Sequence, residues 1–246
     1  ISDNETVYED AFEIEETPVS KDASAKSKEL LKFMNESFGN KIITGQYASG
    51  PDNKELELIY KTTGKYPAIR FSDIGEYTRE EAPSQKEIEA AEDWSKKGGI
   101  VGLMWYWNAP SDNSSVYADK TDFKLSEAVT ELEIWNKNPE ELNELYQQGE
   151  ITKECFSLVN DIDKVSNALN KLAKENIPVL WRPLHEAGGS WYWWGADGAE
   201  AYKWLYDLMY SRMTEYHKLD NLIWIWNGQS EEYMVDSEKY DIAALD

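Results

Sequence analysis

One stretch of this chain combines an imidazole, a carboxylate, two glycines and four consecutive large aromatic residues. His185 and Glu186 stand where a short apolar run ends, and the aromatic run 191–194 follows shortly after. Aromatic faces displace water, which raises the pKa of a nearby carboxyl group toward the range of a general acid. Indole and phenol rings also stack on sugar rings. A carboxylic acid among such rings is typical of glycoside hydrolysis, in which one acid protonates the leaving oxygen and a second carboxylate attacks the anomeric carbon.

The same residues also have a purely structural interpretation. The aromatic run can be a core cluster, and Glu186 can cap a helix or pair with an arginine. Core aromatics and satisfied carboxylates are common in globular proteins. The residues taken by themselves leave both interpretations open.

The two histidines and the single cysteine do not form a metal-binding pattern. His217 lies near a helix end, where we expect a partner for the helix dipole or a plain surface residue. Cys155 lies in a helical run with no histidine nearby, so we expect a small buried residue rather than a nucleophile. Without a His cluster or a Cys pair, the sequence predicts neither a metal site nor a cofactor.

The segment Arg182-Pro183-Leu184-His185-Glu186, followed by Gly189-x-Trp191-x-Trp193-Trp194-Gly195, resembles the acid/base signature of glycoside hydrolase family 26, the endo-β-mannanases. In that family the segment ends the fourth strand of a (β/α)8 barrel, and its glutamate is the proton donor. The resemblance implies that Glu186 is the acid/base residue. It also implies substrate contacts from the side chains of Arg182, His185, Trp191 and Trp194. The family often has Asn where this chain has Gly188.

Two earlier runs resemble the family's first two strands. Thr44-Gly45-Gln46-Tyr47 is similar to the Gly-Gln pair that closes the first strand, and residues 67–73 match the pattern Pro-Ala-Ile-x-x-x-Asp. Because working residues of a barrel sit at the C-terminal ends of its strands, Asp73 is expected to face the mouth. The alternative is that Asp73 caps the next loop or pairs with Arg70 or Arg182.

Later runs resemble three further segments of the family. Residues 104–110 are similar to a segment that usually reads Trp-His-x-x-x-Pro, with Tyr106 in place of the histidine. The resemblance implies substrate contacts from Tyr106, which cannot carry an imidazolium charge, and from Asn108. Residues 221–229 resemble Asn-Leu-Ile-Trp-x-Trp and place Asn227 and Gln229 where substrate hydroxyls could be met, although two exposed loop amides are the alternative. Residues 241–246 resemble Asp-Ile-x-x-x-Asp, whose last residue, here Asp246, contributes to subsite −1.

Short apolar runs alternate with helix-sized segments along the chain, which favours parallel strands joined by right-handed crossovers. Helical spacing of apolar residues is visible over Ser20–Phe38, with Ser20 as the cap, over Lys153–Asn176 and from Tyr202 to Met213. The predicted strands are Lys41–Gly45, Pro67–Phe71, Ile100–Trp107, Pro178–Leu184, Asn221–Trp226 and Asp241–Leu245.

This order predicts an α/β fold, a (β/α)8 TIM barrel, with about six of its eight β/α units present in the chain. We expect residues 1–246 to form one glycoside hydrolase barrel that is incomplete at its C-terminus, with residues 1–20 as an acidic N-terminal strap. The resemblance places the nucleophile on the seventh strand, beyond residue 246. On this interpretation the chain is a fragment, or half of a nicked enzyme, and a C-terminal fragment of the same enzyme completes the barrel.

The chain is strongly acidic, with 47 Asp and Glu against 25 Lys and Arg and a net charge of −22. This charge repels phosphate backbones and anionic lipids, so neither nucleic acid nor a membrane is expected as a partner. No apolar run is long enough to span a bilayer, and no signal sequence opens the chain. Eleven Trp and fifteen Tyr favour a polysaccharide cleft. The expected location is secreted or extracellular, in a bacterium.

Two functions from different classes follow. The first is a retaining endo-glycosidase that hydrolyses β-1,4-mannosidic linkages in mannan, glucomannan or galactomannan, with β-1,3-1,4-glucan or xylan as alternative substrates within the family. The second is a polysaccharide-binding protein without catalysis, which is favoured if no downstream nucleophile exists. An acidic scaffold without a ligand would leave the tryptophans at the strand ends unexplained, and it ranks last.

Overall fold

The structure is a computed structural model and describes residues 16–246. It contains a sheet of six parallel strands in sequential order. The strands are Gly45–Tyr47 (β1), Ile69–Asp73 (β2), Ile100–Met104 (β3), Val179–Arg182 (β4), Leu222–Trp226 (β5) and Ile242–Ala243 (β6). Each strand pairs in parallel with the next one along the chain. Parallel strands that follow one another in sequence order, with helices in the connections, correspond to six of the eight strands of a (β/α)8 barrel.

Among the described residues, one helix precedes the first strand, and the others lie in the connections between strands. The helices are Ala25–Ser37 (α1), Lys54–Thr63 (α2), Glu76–Arg79 (α3), Lys86–Lys96 (α4), Leu125–Ala128 (α5), Pro139–Gln147 (α6), Lys153–Lys174 (α7), Trp193–Ala196 (α8) and Ala199–Ser211 (α9). The longest, α7, begins where the Thr152 hydroxyl accepts a hydrogen bond from the Cys155 amide at 3.1 Å. Cys155 is buried and unpaired, as expected, and burial raises the pKa of its thiol to about 12.

Successive side chains along each strand point to opposite faces of the sheet, and both faces contain buried residues. Leu103, Trp181 and Trp224 belong to the large core shared with α7 and α9. Leu180, Ile223 and Ile225 belong to a smaller cluster with Leu30 and Leu31 of α1. Full burial of each such side chain contributes about 1.5–3 kcal/mol. The N-terminal helix therefore packs against part of the sheet face that lies opposite the outer helices.

Several boundaries differ from the prediction. The first helix begins at Ala25 rather than Ser20, because the Ser24 hydroxyl, and not Ser20, accepts the hydrogen bond from the Ser27 amide at 3.2 Å. The first strand begins at Gly45, where the predicted strand ended. Apolar character alone does not report which backbone groups find partners, so ends are the least determined part of an element.

The predicted N-terminal strap, residues 1–20, lies mostly outside the described residues, which start at 16. Its end is attached to the last strands of the sheet. The Val19 amide donates to Asp241 Oδ1 at 2.7 Å, and the Tyr210 hydroxyl donates to the Val19 carbonyl at 3.2 Å. Asp241 Oδ2 accepts from the Trp224 amide at 2.7 Å. One carboxylate therefore ties the start of the described chain to β5 and the beginning of β6.

A buried ion-pair network holds α9 against α7. A π-helical turn, Arg212–Tyr216, follows α9, and the fully buried Arg212 guanidinium binds both oxygens of Asp163 at 2.7 and 2.8 Å. His217 Nε2 lies 2.6 Å from Asp163 Oδ1. Burial alone would raise the pKa of Asp163, but the hydrogen bonds from His217 and Arg212 outweigh it and lower this pKa. His217 does lie at the end of a helical turn, as expected, but its ring bonds to Asp163, so it is not a plain surface residue.

We expect Arg212→Leu to destabilise the fold by about 3–5 kcal/mol, because the largely buried Asp163 carboxylate loses the guanidinium that binds both its oxygens and keeps only His217. Lys26→Ala is the matched control, since it removes the exposed pair that Lys26 makes with Glu29 at 2.7 Å, and we expect a loss of about 0–1 kcal/mol. Urea unfolding of both variants measures the difference. Equal midpoints for the two variants would contradict the assigned role of the network.

Candidate active site

Glu186 lies just past the C-terminal end of β4, in a turn that is bonded to the end of β5. Its amide donates to the Asn227 carbonyl at 2.7 Å, and the Gly188 amide donates to the Gly228 carbonyl at 2.9 Å. Leu184, Glu186 and Ser190 all have positive φ angles, of 50°, 56° and 60°. Left-handed backbone at non-glycine residues is unfavourable and concentrates at functional sites. The bonds to β5 hold the turn in this conformation and fix where the Glu186 carboxyl group points.

Trp191 contacts the Glu186 carboxyl group directly. The indole Nε1 donates to Glu186 Oε2 at 3.2 Å, and 45% of the tryptophan surface remains exposed. The ring lies against Gly189, where an added Cβ would be 1.9 Å from an indole carbon. Glycine is therefore required at position 189, because any side chain would displace the ring.

Arg182 connects the ends of three strands beneath Glu186. Its Nη2 donates to Asn227 Oδ1 and to Asp246 Oδ2. Burial raises the pKa of Glu186, and the hydrogen bond and negative charge of Asp246 raise it further, while Trp191 and Arg182 act in the opposite direction. The net shift is upward, so Glu186 keeps its proton to higher pH than an ordinary glutamate does.

His185 points away from solvent into a cage of aromatic rings, and only 1% of it is exposed. Its ring lies 4.9 Å from that of Tyr106, 5.1 Å from Tyr192 and 5.6 Å from Trp194. Burial, together with the positive charge of Arg182, lowers the pKa of His185 to about 4. Neither ring nitrogen has a hydrogen-bond partner among residues 16–246. The imidazole is thus neutral at pH 7 and keeps one donor and one acceptor for another group.

Tyr106 is positioned by the loop that follows β3. Its amide donates to Asp73 Oδ1 at 2.7 Å, and its carbonyl accepts from Arg79 at 3.2 Å. Asp73 also accepts from the Gly75 amide at 2.9 Å and pairs with Arg79 at 3.0 Å. Asp73 therefore caps its own loop, as the structural alternative stated, but its arginine partner is Arg79 rather than Arg70 or Arg182. Arg70 instead pairs with Glu87 at 2.9 Å.

Two predicted substrate contacts are corrected by the structure. Trp194 is fully buried, its Nε1 donates to the His185 carbonyl at 2.9 Å, and Tyr192 stacks on its ring at 4.5 Å. Asn227 is also fully buried, and its Nδ2 donates to the Ala244 carbonyl at 2.9 Å. All their polar groups face protein, so both residues support the site and neither offers a surface to substrate.

Asn108 is not brought to Glu186 by any described contact. It lines a separate cavity of about 340 Å³ between its own loop and α7, together with Pro110, Asn160 and Lys164. The residues that the structure does assemble around Glu186 are His185, Trp191, Tyr106, Arg182 and Asp246.

Tyr117 was missed from the sequence, whereas its partner Tyr192 belongs to the aromatic run 191–194 that the sequence offered as a stacking surface. The loop after β3 runs antiparallel to the aromatic run, with the Ala118 amide donating to the Trp191 carbonyl at 2.9 Å and the Trp193 amide donating to the Val116 carbonyl at 3.1 Å. Tyr117, 43% exposed, stacks on Tyr192 at 5.7 Å and so extends the aromatic surface beyond Trp191. Pairing between two loops that are distant in sequence leaves no periodic signal from which to predict it.

Within residues 16–246, no group of three or more His, Cys, Asp or Glu side chains has a metal-binding arrangement. None of the helices in this described part is long and apolar enough to cross a membrane.

Comparison with known proteins places these features in a family. The family model described as "Glycosyl hydrolase family 26" matches residues 19–241. A mannan endo-1,4-β-mannosidase of Thermothelomyces thermophilus is 33% identical over 92% of this chain and 45% of its own length. Mannan endo-1,4-β-mannosidase A of Piromyces sp. is 33% identical over 92% of this chain and 38% of its own length. The chain therefore spans less than half of each of these relatives.

Solved structures share the architecture. The Podospora anserina GH26-CBM35 β-(1,4)-mannanase superimposes with a TM-score of 0.80 at 33% identity, covering 95% of this chain and 50% of that one. A β-mannanase from a symbiotic protist of the termite Reticulitermes speratus gives a TM-score of 0.82 at 26% identity over 95% of this chain and 72% of its own. These matches confirm the predicted partial (β/α)8 barrel. The match over most of the chain likewise confirms the resemblance seen around Glu186, and the chain belongs to glycosyl hydrolase family 26.

Proposed function

We propose that this chain carries the acid/base glutamate of a retaining endo-glycosidase that hydrolyses β-1,4-mannosidic linkages. The observation that carries the proposal is the setting of Glu186, a carboxyl group with a raised pKa at the end of β4, bonded to a half-exposed tryptophan. A carboxyl group of raised pKa holds its proton to higher pH than an ordinary glutamate and can transfer it to a leaving oxygen. The exposed indole face offers a surface on which a sugar ring can stack.

The reaction then has two displacements. Glu186 donates its proton to the glycosidic oxygen as that bond breaks, while a second carboxylate, about 5–5.5 Å away, forms a covalent bond to the anomeric carbon. The ionised Glu186 next removes a proton from water, which displaces the carboxylate and releases the sugar with retained configuration. Both ring nitrogens of the neutral His185 are unpaired but buried, so the imidazole can donate a hydrogen bond only to a group that reaches into its aromatic cage, and we propose the nucleophile for this role.

The second carboxylate is proposed to come from beyond residue 246. Asp73 is engaged by Arg79 and two backbone amides, and Asp246 is paired with Arg182. We propose that two further β/α units of the same enzyme supply the nucleophile and close the barrel between β6 and β1. Highly exposed apolar side chains at these two edges support this, with Ile42 92% exposed before β1 and Leu245 81% exposed after β6.

The proposed substrates are mannan, glucomannan and galactomannan. The relatives named above are mannan endo-1,4-β-mannosidases, and the protist enzyme is described in complex with a gluco-manno-oligosaccharide. These polymers are neutral, so the net charge of −22 does not repel them. They are too large to cross a membrane, and we propose that the protein acts outside the cell.

A second candidate is a polysaccharide-binding protein that retains the cleft without the reaction. One observation favours it: no second carboxylate beside Glu186 within residues 16–246 is free of a cationic partner, since Asp246 pairs with Arg182. Such a protein would bind mannan and release no reducing sugar.

The full-length gene product should release reducing sugar from glucomannan, and Glu186→Gln should lower kcat about 10²–10⁴-fold because the amide cannot transfer a proton. The panel includes barley β-glucan and xylan, which identify the alternative substrates. Glu29→Gln, which changes an exposed carboxylate on α1, is the matched control and should leave the rate unchanged. No release from any polymer by the unmodified enzyme, or equal rates for Glu186→Gln, would contradict the proposal.

A substrate whose leaving group needs no protonation shows whether Glu186→Gln is slow because the proton donor is lost or because the variant is misfolded. With dinitrophenyl β-mannobioside, the first displacement by Glu186→Gln should remain fast and the second should stall, because no base activates water. Azide, which needs no base, should restore turnover and give a mannobiosyl azide of retained configuration. A variant that azide fails to rescue would indicate loss of structure and not loss of the acid/base group.

Two substitutions should shift the pH profile of kcat/KM in opposite directions. Trp191→Phe removes a donor that stabilises the Glu186 carboxylate, so the pKa of Glu186 rises and the alkaline limb moves to higher pH. Asp246→Asn removes a negative charge that disfavours the carboxylate, so this pKa falls and the limb moves to lower pH. Shifts of the same sign would show that Glu186 does not control that limb.

A further inference from the structure

A second cavity, of about 350 Å³, lies on the outer wall of the half-barrel between α9 and the loop that joins β5 to β6. None of its residues belongs to the Glu186 site. On the helix side, residues spaced three and four apart form one face of α9. The lining consists of Glu200, Lys203, Trp204, Tyr206, Asp207, Met234, Val235 and Asp236.

Trp204 gives this cavity an aromatic wall of fixed orientation. One part of the ring packs against the main core, and Nε1 donates to the Thr130 carbonyl at 3.0 Å. The indole is therefore held on two sides and is only half-buried. Met234, 46% exposed, lines the same space from the loop. A ligand that stacks on this ring would not have to order it first, which removes part of the entropic cost of binding.

The loop wall is attached to the helix wall, so the cavity exists without a ligand. The hydroxyl of the buried Tyr206 donates to the Lys239 carbonyl at 3.3 Å, and the Lys239 ammonium group pairs with Asp207. The Asp236 side chain accepts from the Glu238 amide at 3.0 Å and fixes the turn between them. A preformed cavity of this volume is within the size range of small-molecule sites.

The cavity lining carries three carboxylates and one ammonium group, and Lys239, which is not part of the lining, adds a second ammonium group beside it. Lys203 pairs with Glu200 at 3.4 Å, and Lys239 pairs with Asp207, which leaves Asp236 as the carboxylate of the lining without a cationic partner among the described contacts. This arrangement disfavours a strongly charged ligand. The charged groups around the cavity include both ammonium donors and carboxylate acceptors. Neighbouring hydroxyl groups of one sugar ring can donate to a carboxylate and accept from an ammonium group at the same time.

We propose that this cavity is a second carbohydrate-binding site, which takes one or two neutral hexopyranose residues of a polysaccharide chain with Trp204 as the stacking surface. The site lies outside the catalytic cleft and does not depend on whether the chain hydrolyses its ligand. A polymer bound at both places would be held on the protein through successive encounters with the cleft, because the second contact raises its effective concentration.

The test uses the chain with Glu186→Gln, labelled with 5-fluorotryptophan and titrated with β-1,4-mannotetraose while ¹⁹F NMR follows each indole. Trp191→Phe and Trp204→Phe assign the two relevant signals. We expect both signals to move, with separate dissociation constants, and we expect the Trp204 signal still to move when Trp191→Ala has disabled the cleft.

In a chain with the cleft disabled, Trp204→Leu should weaken retardation on glucomannan gels about fivefold, the size of one aromatic contact. Tyr60→Ala, which removes an exposed ring on α2, should not change retardation.

Three results would overturn the proposal. One is a Trp204 signal that does not move at saturating mannotetraose, whatever the Trp191 signal does. Another is a Trp204 response that disappears with Trp191→Ala, because it would then only report binding in the cleft. The last is a Trp204 signal that responds to N-acetyl-lysine amide and not to the sugar, which would identify a site for ammonium groups instead.

Discussion

The hydrogen bond from the Glu186 amide to the Asn227 carbonyl, 2.7 Å long, joins the ends of β4 and β5 and fixes the turn on which the site is built. With the neighbouring bond from Gly188 to Gly228, it keeps Glu186 in a left-handed conformation that an isolated loop would not hold. Asn227 also receives Arg182 on its side-chain oxygen, so the same residue positions the guanidinium that pairs with Asp246. Breaking the hydrogen bond between Glu186 and Asn227 would therefore displace Glu186, Arg182 and Asp246 together.

Burial shifts the pKa values of His185 and Glu186, which are adjacent in sequence, in opposite directions. Burial disfavours the charged form of any group, so it raises the pKa of Glu186 and lowers that of His185 to about 4. Burial therefore favours the neutral form of both residues, a carboxylic acid at Glu186 and an imidazole with unpaired nitrogens at His185. Adjacent residues differ in exposure because the turn directs Glu186 toward the open end of the sheet and His185 into the rings of Tyr106, Tyr192 and Trp194.

Trp191 and Trp194 illustrate how far the sequence could predict the site. Both lie in the aromatic run after Glu186, and residue type alone predicts a sugar contact equally for each of them. Trp191 stays exposed because Gly189 lets its ring lie flat beside the carboxylate, whereas Trp194 enters α8 and turns inward to bond the His185 carbonyl. Asn227 and Asp73 were candidates because each stands at the end of a strand. Each is instead engaged by backbone groups of nearby loops, which for Asp73 include its own loop.

The sequence by itself determined the presence and order of six strands, the helices α7 and α9, and the family, because apolar periodicity and an unusual motif are local properties of a chain. Only the tertiary structure decided which polar side chains face solvent, that Asp73 pairs with Arg79, that Tyr117 joins the aromatic surface, and that Trp204 lines a second cavity. Those outcomes depend on loops and helix faces that meet across long sequence separations. Their contacts are selected by packing and hydrogen-bond satisfaction over the whole domain, which no local pattern of residues encodes.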